Sequence, residues 1–220
     1  MVTACWSVKG GSGTTVVATA LGILAARHSG NGALLVDLSG DISPLLGLSH
    51  EGPGIFDWLL AGEDVPSDAL SRLEVAGPDA LHVLVPGGTN HKTQQTGTNA
   101  RGEVLSALLA ADPRPVVVDC GTEPSGTALS IAACASSSLL VIRPCYLALC
   151  KAMNMDLRPT GVVLVNEFDR SLTRDDVEDA LGVPVHAEIM IDPVVARAVD
   201  AGVLSSRFPK SLERALRHVA

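Results

Sequence analysis

Short aliphatic runs alternate along the chain with segments in which apolar residues recur at helical spacing. The aliphatic runs are predicted to be strands and lie at residues 2–8, 33–38, 81–85, 115–119, 139–143, 161–166 and 185–191. The helical spacing is found at residues 15–27, 55–60, 67–73, 102–110, 127–135, 147–155, 173–181, 193–201 and 211–219. Continuous apolar strands that alternate with helices are typical of a parallel sheet with both faces covered. The pattern therefore predicts a doubly wound α/β fold, with a mainly parallel sheet and helices on both faces.

The carboxyl ends of the predicted strands carry most of the polar residues that are candidates for a site. Right-handed crossovers place these ends, and the loops after them, along one edge of the sheet. This edge is predicted to carry residues 9–15, Asp37, Pro86, Asp119, Pro144 and Asn166. Residues 86–101 have no acidic residue and no apolar periodicity, which predicts a flexible surface loop. No linker or repeat interrupts the pattern, so residues 1–220 are predicted to form a single domain.

Charge and composition exclude several classes of function. The 220 residues include 16 lysines and arginines against 24 aspartates and glutamates, a formal net charge of -8. Proteins that bind nucleic acid usually carry a basic stripe, and no basic run occurs here, so a nucleic-acid partner is not expected. The five cysteines form no C-x-x-C pair, which argues against zinc and against a disulfide framework.

The sequence contains no secretory leader pattern and no apolar run long enough to span a membrane. We therefore expect a cytoplasmic protein that is at most peripheral to the inner face of a membrane. The last helical segment places Leu212, Leu216 and Val219 on one short apolar face. Because this face is small and few basic residues support it, we expect it to pack onto the domain rather than to enter a lipid surface.

The strongest candidate for chemistry is the glycine-rich segment between the first strand and the first helix. It has the sequence Lys9-Gly10-Gly11-Ser12-Gly13-Thr14-Thr15. Glycines let backbone N–H groups wrap an anion, and the amino end of the following helix adds partial positive charge. The segment is predicted to be a phosphate-binding loop, with a relic loop that binds nothing as the alternative.

This loop resembles the deviant Walker A motif, K-G-G-x-G-K-[S/T], of the ParA/MinD-like P-loop ATPases. The match covers Lys9, Gly10, Gly11, Gly13 and Thr15. It fails at Thr14, where the family has the lysine that holds the β- and γ-phosphates. The phosphate loop is therefore similar to that of the family but degenerate.

Other segments extend the resemblance over nearly the whole chain. Val36-Asp37-Leu38 resembles the second family motif, and Val116-Val117-Val118-Asp119 resembles Walker B. Val163-Leu164-Val165-Asn166 resembles the strand whose last residue contacts adenine, and Ile191-Asp192-Pro193 resembles the closing segment of the nucleotide site. The short length and the run from Asp37 to Asp41 look most like the CpaE/TadZ branch, whose members help to localise pilus-assembly machinery.

The resemblance implies a role for each matched residue, with ATP or ADP and Mg²⁺ as cofactors. Lys9 would reach across a homodimer interface to the partner's phosphate. The phosphates would be wrapped by Gly10, Gly11, Ser12, Gly13, Thr14 and Thr15. Thr15 and Asp119 would hold the metal, and Asp37 would lie near the attacking water or the metal. Asn166 and Pro193 would contact the base. From the residues alone, Asp119 and Asn166 also suit strand-end turns.

Two departures from the family pattern weaken the expected catalysis. Thr14 replaces the phosphate-binding lysine, and Ser39 stands where many members have a second acidic residue. Losing one charge-assisted contact costs about 1.5–3 kcal/mol, or roughly ten- to a hundred-and-fiftyfold in affinity. We expect a nucleotide-responsive, dimeric localisation or scaffold protein with weakened nucleotide binding and impaired hydrolysis. The alternative is a slow ATPase in which Lys9 and Asp41 compensate, and a ParA-type DNA-partitioning protein is disfavoured by the acidic charge.

Overall fold

The computed structural model describes residues 1–61, 65–66, 68–87 and 100–219. Within these ranges the strands are β1 Val2–Ser7, β2 Ala33–Asp37, β3 Glu74–Ala76, β4 Leu81–Leu84, β5 Val116–Thr122, β6 Ser137–Ile142, β7 Gly161–Asn166 and β8 Val185–Met190. The helices are α1 Thr14–His28, α2 Ile42–Leu46, α3 Ile55–Leu60, α4 Ala100–Ala111, α5 Gly126–Cys134, α6 Tyr146–Met153, α7 Arg174–Leu181, α8 Pro193–Asp200 and α9 Lys210–Leu216. A short 3-10 helix, Ser71–Leu73, precedes β3.

All described strands belong to one sheet, in the order β3-β4-β2-β5-β1-β6-β7-β8. The strands pair in parallel except for β3, which pairs antiparallel with β4 at the sheet edge. The first strand lies in the centre, between β5 and β6. Because the strands run the same way, the loops after β1, β2 and β5 open side by side on one edge of the sheet.

Two buried clusters of apolar side chains cover the two faces of the sheet. On one face, residues such as Trp6 and Leu140 pack with α3, α4, α5, α6 and α7. On the other face, residues such as Leu21 and Leu35 pack with α1, α2, α8 and α9. Burying one aliphatic side chain fully contributes about 1.5–3 kcal/mol to the free energy of folding, so both layers stabilise the sheet. The predicted doubly wound α/β fold is confirmed.

The structure corrects the prediction between the second and fourth strands. The predicted helix at residues 67–73 is wrong, because a three-residue 3-10 helix leads directly into β3 there. Arg114 holds β3 in place through an ion pair of 2.8 Å to Glu74, and its guanidinium also pairs at 2.8 Å with Asp112. The five-residue helix α2 was not predicted, since it is shorter than two helical turns and ends at Gly47. Such short elements leave little periodicity in the sequence.

The predicted loop at residues 86–101 falls mostly on residues 88–99, which lie outside the described residues. The prediction of a loop at residues 100–101 is wrong, because α4 begins at Ala100 rather than at residue 102. At the other end of the chain, Leu212 and Leu216 are buried against the domain, as predicted for the last helix. In the part of the chain that the structure describes, no helix has the length and hydropathy needed to cross a membrane.

Candidate functional site

The glycine-rich loop joins β1 to α1 and depends on two glycines in the left-handed region. Gly11 has φ 76° and Gly13 has φ 90°, and Gly13 is the N-cap of α1. A Cβ atom on Gly13 would lie 4.0 Å from its nearest neighbour, a methyl group of Val165, so space alone would allow a side chain. The backbone conformation is what requires glycine, since it costs an L-residue about 1–2 kcal/mol.

The loop is held from inside and leaves its amides free for a ligand. The Ser12 hydroxyl donates a hydrogen bond of 2.7 Å to the carbonyl oxygen of Lys9. Within the described residues, the amide N–H groups of Gly10, Gly11 and Gly13 donate to no protein acceptor. Because the amino end of α1 also carries partial positive charge, the loop is a local site for an anion.

Thr14 and Thr15 begin α1 and face different surroundings. Thr14 is buried, with 6% of its surface exposed, and it brings no charge to the loop. Thr15 is half-buried, and its hydroxyl lies close enough to Asp119 to lower the pKa of that carboxyl group. Lys9 is exposed and, among the described residues, forms no ion pair. The loop thus has the backbone geometry of an anion site but no positively charged side chain at position 14.

Asp37 is the last residue of β2, Asp119 lies in the middle of β5, and the two are register partners across these neighbouring strands. Both are fully buried. Asp37 accepts backbone hydrogen bonds from Ser39 at 3.0 Å, Gly40 at 2.6 Å and Ile42 at 2.9 Å. The Ser39 hydroxyl lies 3.1 Å from Oδ1 of Asp37 and 2.7 Å from Oδ2 of Asp119. One hydroxyl group therefore bridges two buried carboxyl groups.

Burial makes both carboxyl groups harder to ionise. It raises the pKa of Asp119 to about 6; hydrogen bonds from Ser39, Thr15 and Gly121 oppose the rise, and the charge of Asp37 adds to it. Burial also raises the pKa of Asp37, against the lowering effect of its backbone hydrogen bonds. A bound cation would favour the ionised form of both groups.

The loop and the ends of β2 and β5 enclose a cavity of about 390 Å³, here called the loop cavity. Its walls are Gly10, Gly11, Ser12, Gly13, Thr14, Thr15, Val16, Ser39, Asp41, Gly121 and Thr122. Asp41 is exposed and precedes α2, where its side chain makes no cap hydrogen bond. The structure therefore brings residues 10–15 of the predicted loop and Asp41 to one cavity, with Asp37 and Asp119 buried beneath it, whereas Lys9 does not line it.

A second cavity of about 240 Å³, here called the apolar cleft, adjoins the first. It is lined by Gly13, Val16, Val17, Val165, Ile189, Met190, Ile191, Asp192, Val195, Ala196, Val199, Asp200 and Leu212. Gly13 and Val16 line both cavities, so a polar compartment meets an apolar one at the start of α1. A single ligand with an anionic end and a flat apolar end would fit this arrangement.

Residues 1–197 match the family model described as cellulose biosynthesis protein BcsQ. The chain belongs to the BcsQ family. A search of curated protein sequences gives no significant match.

Solved structures of ParA/MinD-type proteins share the fold. MinD from Pyrococcus horikoshii, solved with Mg-ADP, is 20% identical, with a TM-score of 0.80 over 100% of this chain and 94% of that one. A ParA family ATPase from Chlorobium tepidum is 19% identical, with a TM-score of 0.78 over 98% and 95% of the two chains. MinD in the MinC:MinD complex of Aquifex aeolicus is 21% identical, with a TM-score of 0.72 over 99% and 92%. At such identities the likeness establishes the fold.

Asn166 and Pro193 lie at the same edge of the sheet but do not line the loop cavity or the apolar cleft. The side-chain amide of Asn166 donates a hydrogen bond of 2.7 Å to Glu188, and its oxygen accepts one of 2.8 Å from the amide of Glu167. Pro193 begins α8, directly after Asp192, which caps that helix. Lys9, Asp37 and Asp119 are likewise not part of either cavity's lining, but Asp37 and Asp119 are hydrogen-bonded to Ser39, which lines the loop cavity.

Sequence reasoning missed two features of the site. The bridging position of Ser39 was missed because it depends on the register between β2 and β5, although the residue had been recognised as a departure from the family pattern. The apolar cleft was also missed. Alternation along β7 offers a signal for it, since Val165 lines the cleft while the adjacent Asn166 does not.

Proposed function

We propose that this BcsQ-family chain is a nucleotide-responsive localisation or scaffold protein that binds Mg-ATP or Mg-ADP weakly and hydrolyses ATP slowly or not at all. The observation that carries the proposal is the loop itself. Its left-handed glycines and the proximity of Thr15 to Asp119 support a phosphate site, whereas buried Thr14 supplies no cation.

The loop cavity fits a phosphate group without the missing lysine, only less tightly. The free amides of Gly10, Gly11 and Gly13 and the amino end of α1 remain to bind the anion. A lost charge-assisted contact removes about 1.5–3 kcal/mol of binding free energy. We therefore expect nucleotide binding that is weaker than in a complete loop but measurable at millimolar nucleotide.

Thr15 and Asp119 fit a magnesium ion that is shared with phosphate oxygens and water. Magnesium is commonly held by one or two protein oxygen ligands together with substrate phosphates and several waters. Within the described residues, no group of three acidic, histidine or cysteine side chains is placed to hold a metal alone. The ion would neutralise phosphate charge, and Asp37 would support Asp119 from beneath.

Hydrolysis lacks two of the groups that would assist it. Thr14 provides no positive charge to stabilise the transition state of phosphoryl transfer. Ser39 is a hydroxyl that is committed to hydrogen bonds with Asp37 and Asp119, so it does not replace a carboxylate. One observation favours the alternative of a slow ATPase: Asp41 lines the loop cavity, where its carboxylate could take the place of the acidic residue that Ser39 replaces.

The exposed edge around Lys9 suits a homodimer. Tyr146, Leu147 and Phe168 are apolar residues exposed at this edge, by 77%, 54% and 82%. Tyr146 and Leu147 follow Cys145, whose thiol pKa is lowered mainly by backbone N–H groups of α6 and further by the charge of Lys9. We propose that two copies meet through this edge, with Lys9 of each reaching the phosphate bound by the other.

The protein partner is the least defined part of the proposal. The family description names cellulose biosynthesis, so we favour the cellulose-synthesis machinery as the partner to be positioned. A role in pilus assembly, which the CpaE/TadZ resemblance implies, stays a prediction. We place the protein in the cytoplasm, at most peripherally on the membrane, with no nucleic-acid partner.

Two measurements on the unmodified chain test this proposal. Titration calorimetry with Mg-ATP and Mg-ADP is expected to show binding in the millimolar to high micromolar range, and absence of heat at millimolar nucleotide would refute the nucleotide half. Steady-state phosphate release is expected to match a protein-free blank. Clear turnover that disappears in Lys9→Ala would instead establish the slow ATPase.

A further inference from the structure

The base end of the nucleotide site departs from the arrangement that the sequence implies. Side chains alternate between the faces of a strand, so neighbouring Val165 and Asn166 point to opposite faces of β7. Val165 lines the apolar cleft. Asn166 lies on the other face, together with Leu164 and with Glu188 of β8, the register partner of Leu164. The amide that was expected to contact the base is therefore directed away from the cleft.

Both the nitrogen and the oxygen of the Asn166 amide are hydrogen-bonded where they lie. Its nitrogen donates 2.7 Å to the Glu188 carboxylate, and its oxygen accepts 2.8 Å from the Glu167 amide. Both bonds would have to break before the side chain could turn toward a base. The bond to Glu188 is charge-assisted and is the stronger of the two. Asn166 is held by its neighbours in the sheet rather than poised for a ligand.

The cleft itself offers little that distinguishes one base from another. Among its lining residues, Asp192 and Asp200 are the polar side chains. The Asp192 carboxylate accepts 2.8 Å hydrogen bonds from the amide of Val194 and from the Ser211 hydroxyl. Asp192 thereby caps α8 and ties it to α9. Asp200, the last residue of α8, is exposed to solvent. The rest of the wall toward a flat ring is aliphatic and includes Val16, Val165 and Val195.

We propose that the apolar cleft binds the base by apolar contact and shape alone, so that the site does not distinguish adenine from guanine nucleotides. This inference rests on the proposed nucleotide binding in the loop cavity. The start of α1 joins the two cavities, which lets the phosphates occupy one while the base occupies the other. Strong discrimination needs buried polar groups that a wrong ligand leaves unpaired, and an apolar wall provides none.

The test is a set of titrations with ATP, GTP and inorganic tripolyphosphate, each with Mg²⁺. In the unmodified chain, the dissociation constants for ATP and GTP are expected to agree within about threefold. Tripolyphosphate, which has no base, is expected to bind about tenfold or more weakly than either nucleotide, because it buries no apolar ring. In Asn166→Ala the ratio of ATP to GTP affinity is expected to stay the same.

A variant that fills the apolar cleft provides a second, independent test. Ala196→Phe is expected to weaken ATP and GTP about equally, by roughly tenfold, and to leave tripolyphosphate unchanged. Ala201→Phe is the matched control, since Ala201 is exposed and does not line the cleft.

Each other outcome of these titrations has a distinct meaning. The inference is overturned by a preference of about tenfold or more for either nucleotide, because such a preference requires a polar contact, and loss of the preference in Asn166→Ala would assign that contact to Asn166. It also fails if tripolyphosphate binds as tightly as both nucleotides, in which case the loop cavity binds phosphate without help from the cleft. If none of the three ligands binds, the proposed function itself is refuted, and this inference with it.

Discussion

At the scale of single residues, the account depends on which groups at the loop carry charge. Thr14 occupies the first position of α1, where it is buried and neutral. The loop around it keeps the left-handed glycines and free amides that an anion needs. A change at this one position therefore separates the shape of the phosphate site from its charge.

Restoring a lysine at this position is expected to strengthen nucleotide binding. Thr14→Lys adds one charge-assisted contact to a loop whose backbone is already arranged, so Mg-ATP affinity is expected to rise about ten- to a hundredfold. Titration calorimetry measures the change directly. Thr14→Met, which has a similar length and no charge, is the control and is expected to give no gain. Equal affinities in the two variants would mean that the missing lysine is not what weakens the site.

The Asp119 carboxyl group is expected to destabilise the ligand-free protein at neutral pH. Its folded pKa of about 6 lies above the ordinary value of 3.8, so the folded state binds the proton more tightly. The stabilisation from this proton is fully present below about pH 4 and is lost as the pH rises through about 6. Asp119→Asn is therefore expected to be more stable than the unmodified chain at pH 7.5, by about 1–3 kcal/mol.

Urea unfolding in metal-free buffer at pH 7.5 and pH 5.0 measures this effect, and the difference is expected to shrink at the lower pH. Asp156→Asn is the matched control, because Asp156 is exposed and has no ion pair within the described residues. An Asp119→Asn variant that is less stable than the unmodified chain at pH 7.5 would contradict the role of burial.

At the scale of elements, the turn from β1 into α1 is fixed by its backbone. Gly13→Ala is expected to lower the free energy of unfolding by about 1–2 kcal/mol and to weaken nucleotide binding, since φ 90° suits only glycine there. Gly10 offers the control, because its φ is outside the left-handed region and a Cβ would meet open space. Chemical denaturation and calorimetry of both variants check the prediction, which fails if Gly10→Ala is the more damaging change.

Much of this element scale was predictable from the sequence, and the reasons are specific. β5 begins as a continuous aliphatic run that leads into an aspartate, so the strand and the position of Asp119 follow from the pattern, although the strand continues beyond its predicted end at Asp119 to Thr122. The contact between Ser39 and Asp119 did not follow, because it links residues 80 positions apart through the register of β2 and β5. The position of Asn166 was likewise decided by its partner Glu188 on another strand. The pairing of two strands produces no periodic pattern in the sequence of either strand.

At the scale of the whole molecule, the account joins a weak nucleotide site to a surface that two copies can share. Lys9 lies on the exposed edge of the sheet, away from ion pairs with the described residues, and apolar side chains such as Tyr146 and Phe168 are exposed along the same edge. A nucleotide bound in the loop would give Lys9 of the partner copy a phosphate to contact. Dimerisation would then depend on whether nucleotide is bound and would not require its hydrolysis.

The molar mass of the protein in solution, measured by light scattering with and without saturating Mg-ATP, tests the central claim most directly. We expect a monomer without nucleotide, a doubled mass with it, and a Lys9→Ala variant that binds nucleotide by calorimetry yet stays monomeric. A mass that does not change while calorimetry shows the nucleotide bound, or a Lys9→Ala variant that dimerises like the unmodified chain, would contradict the account.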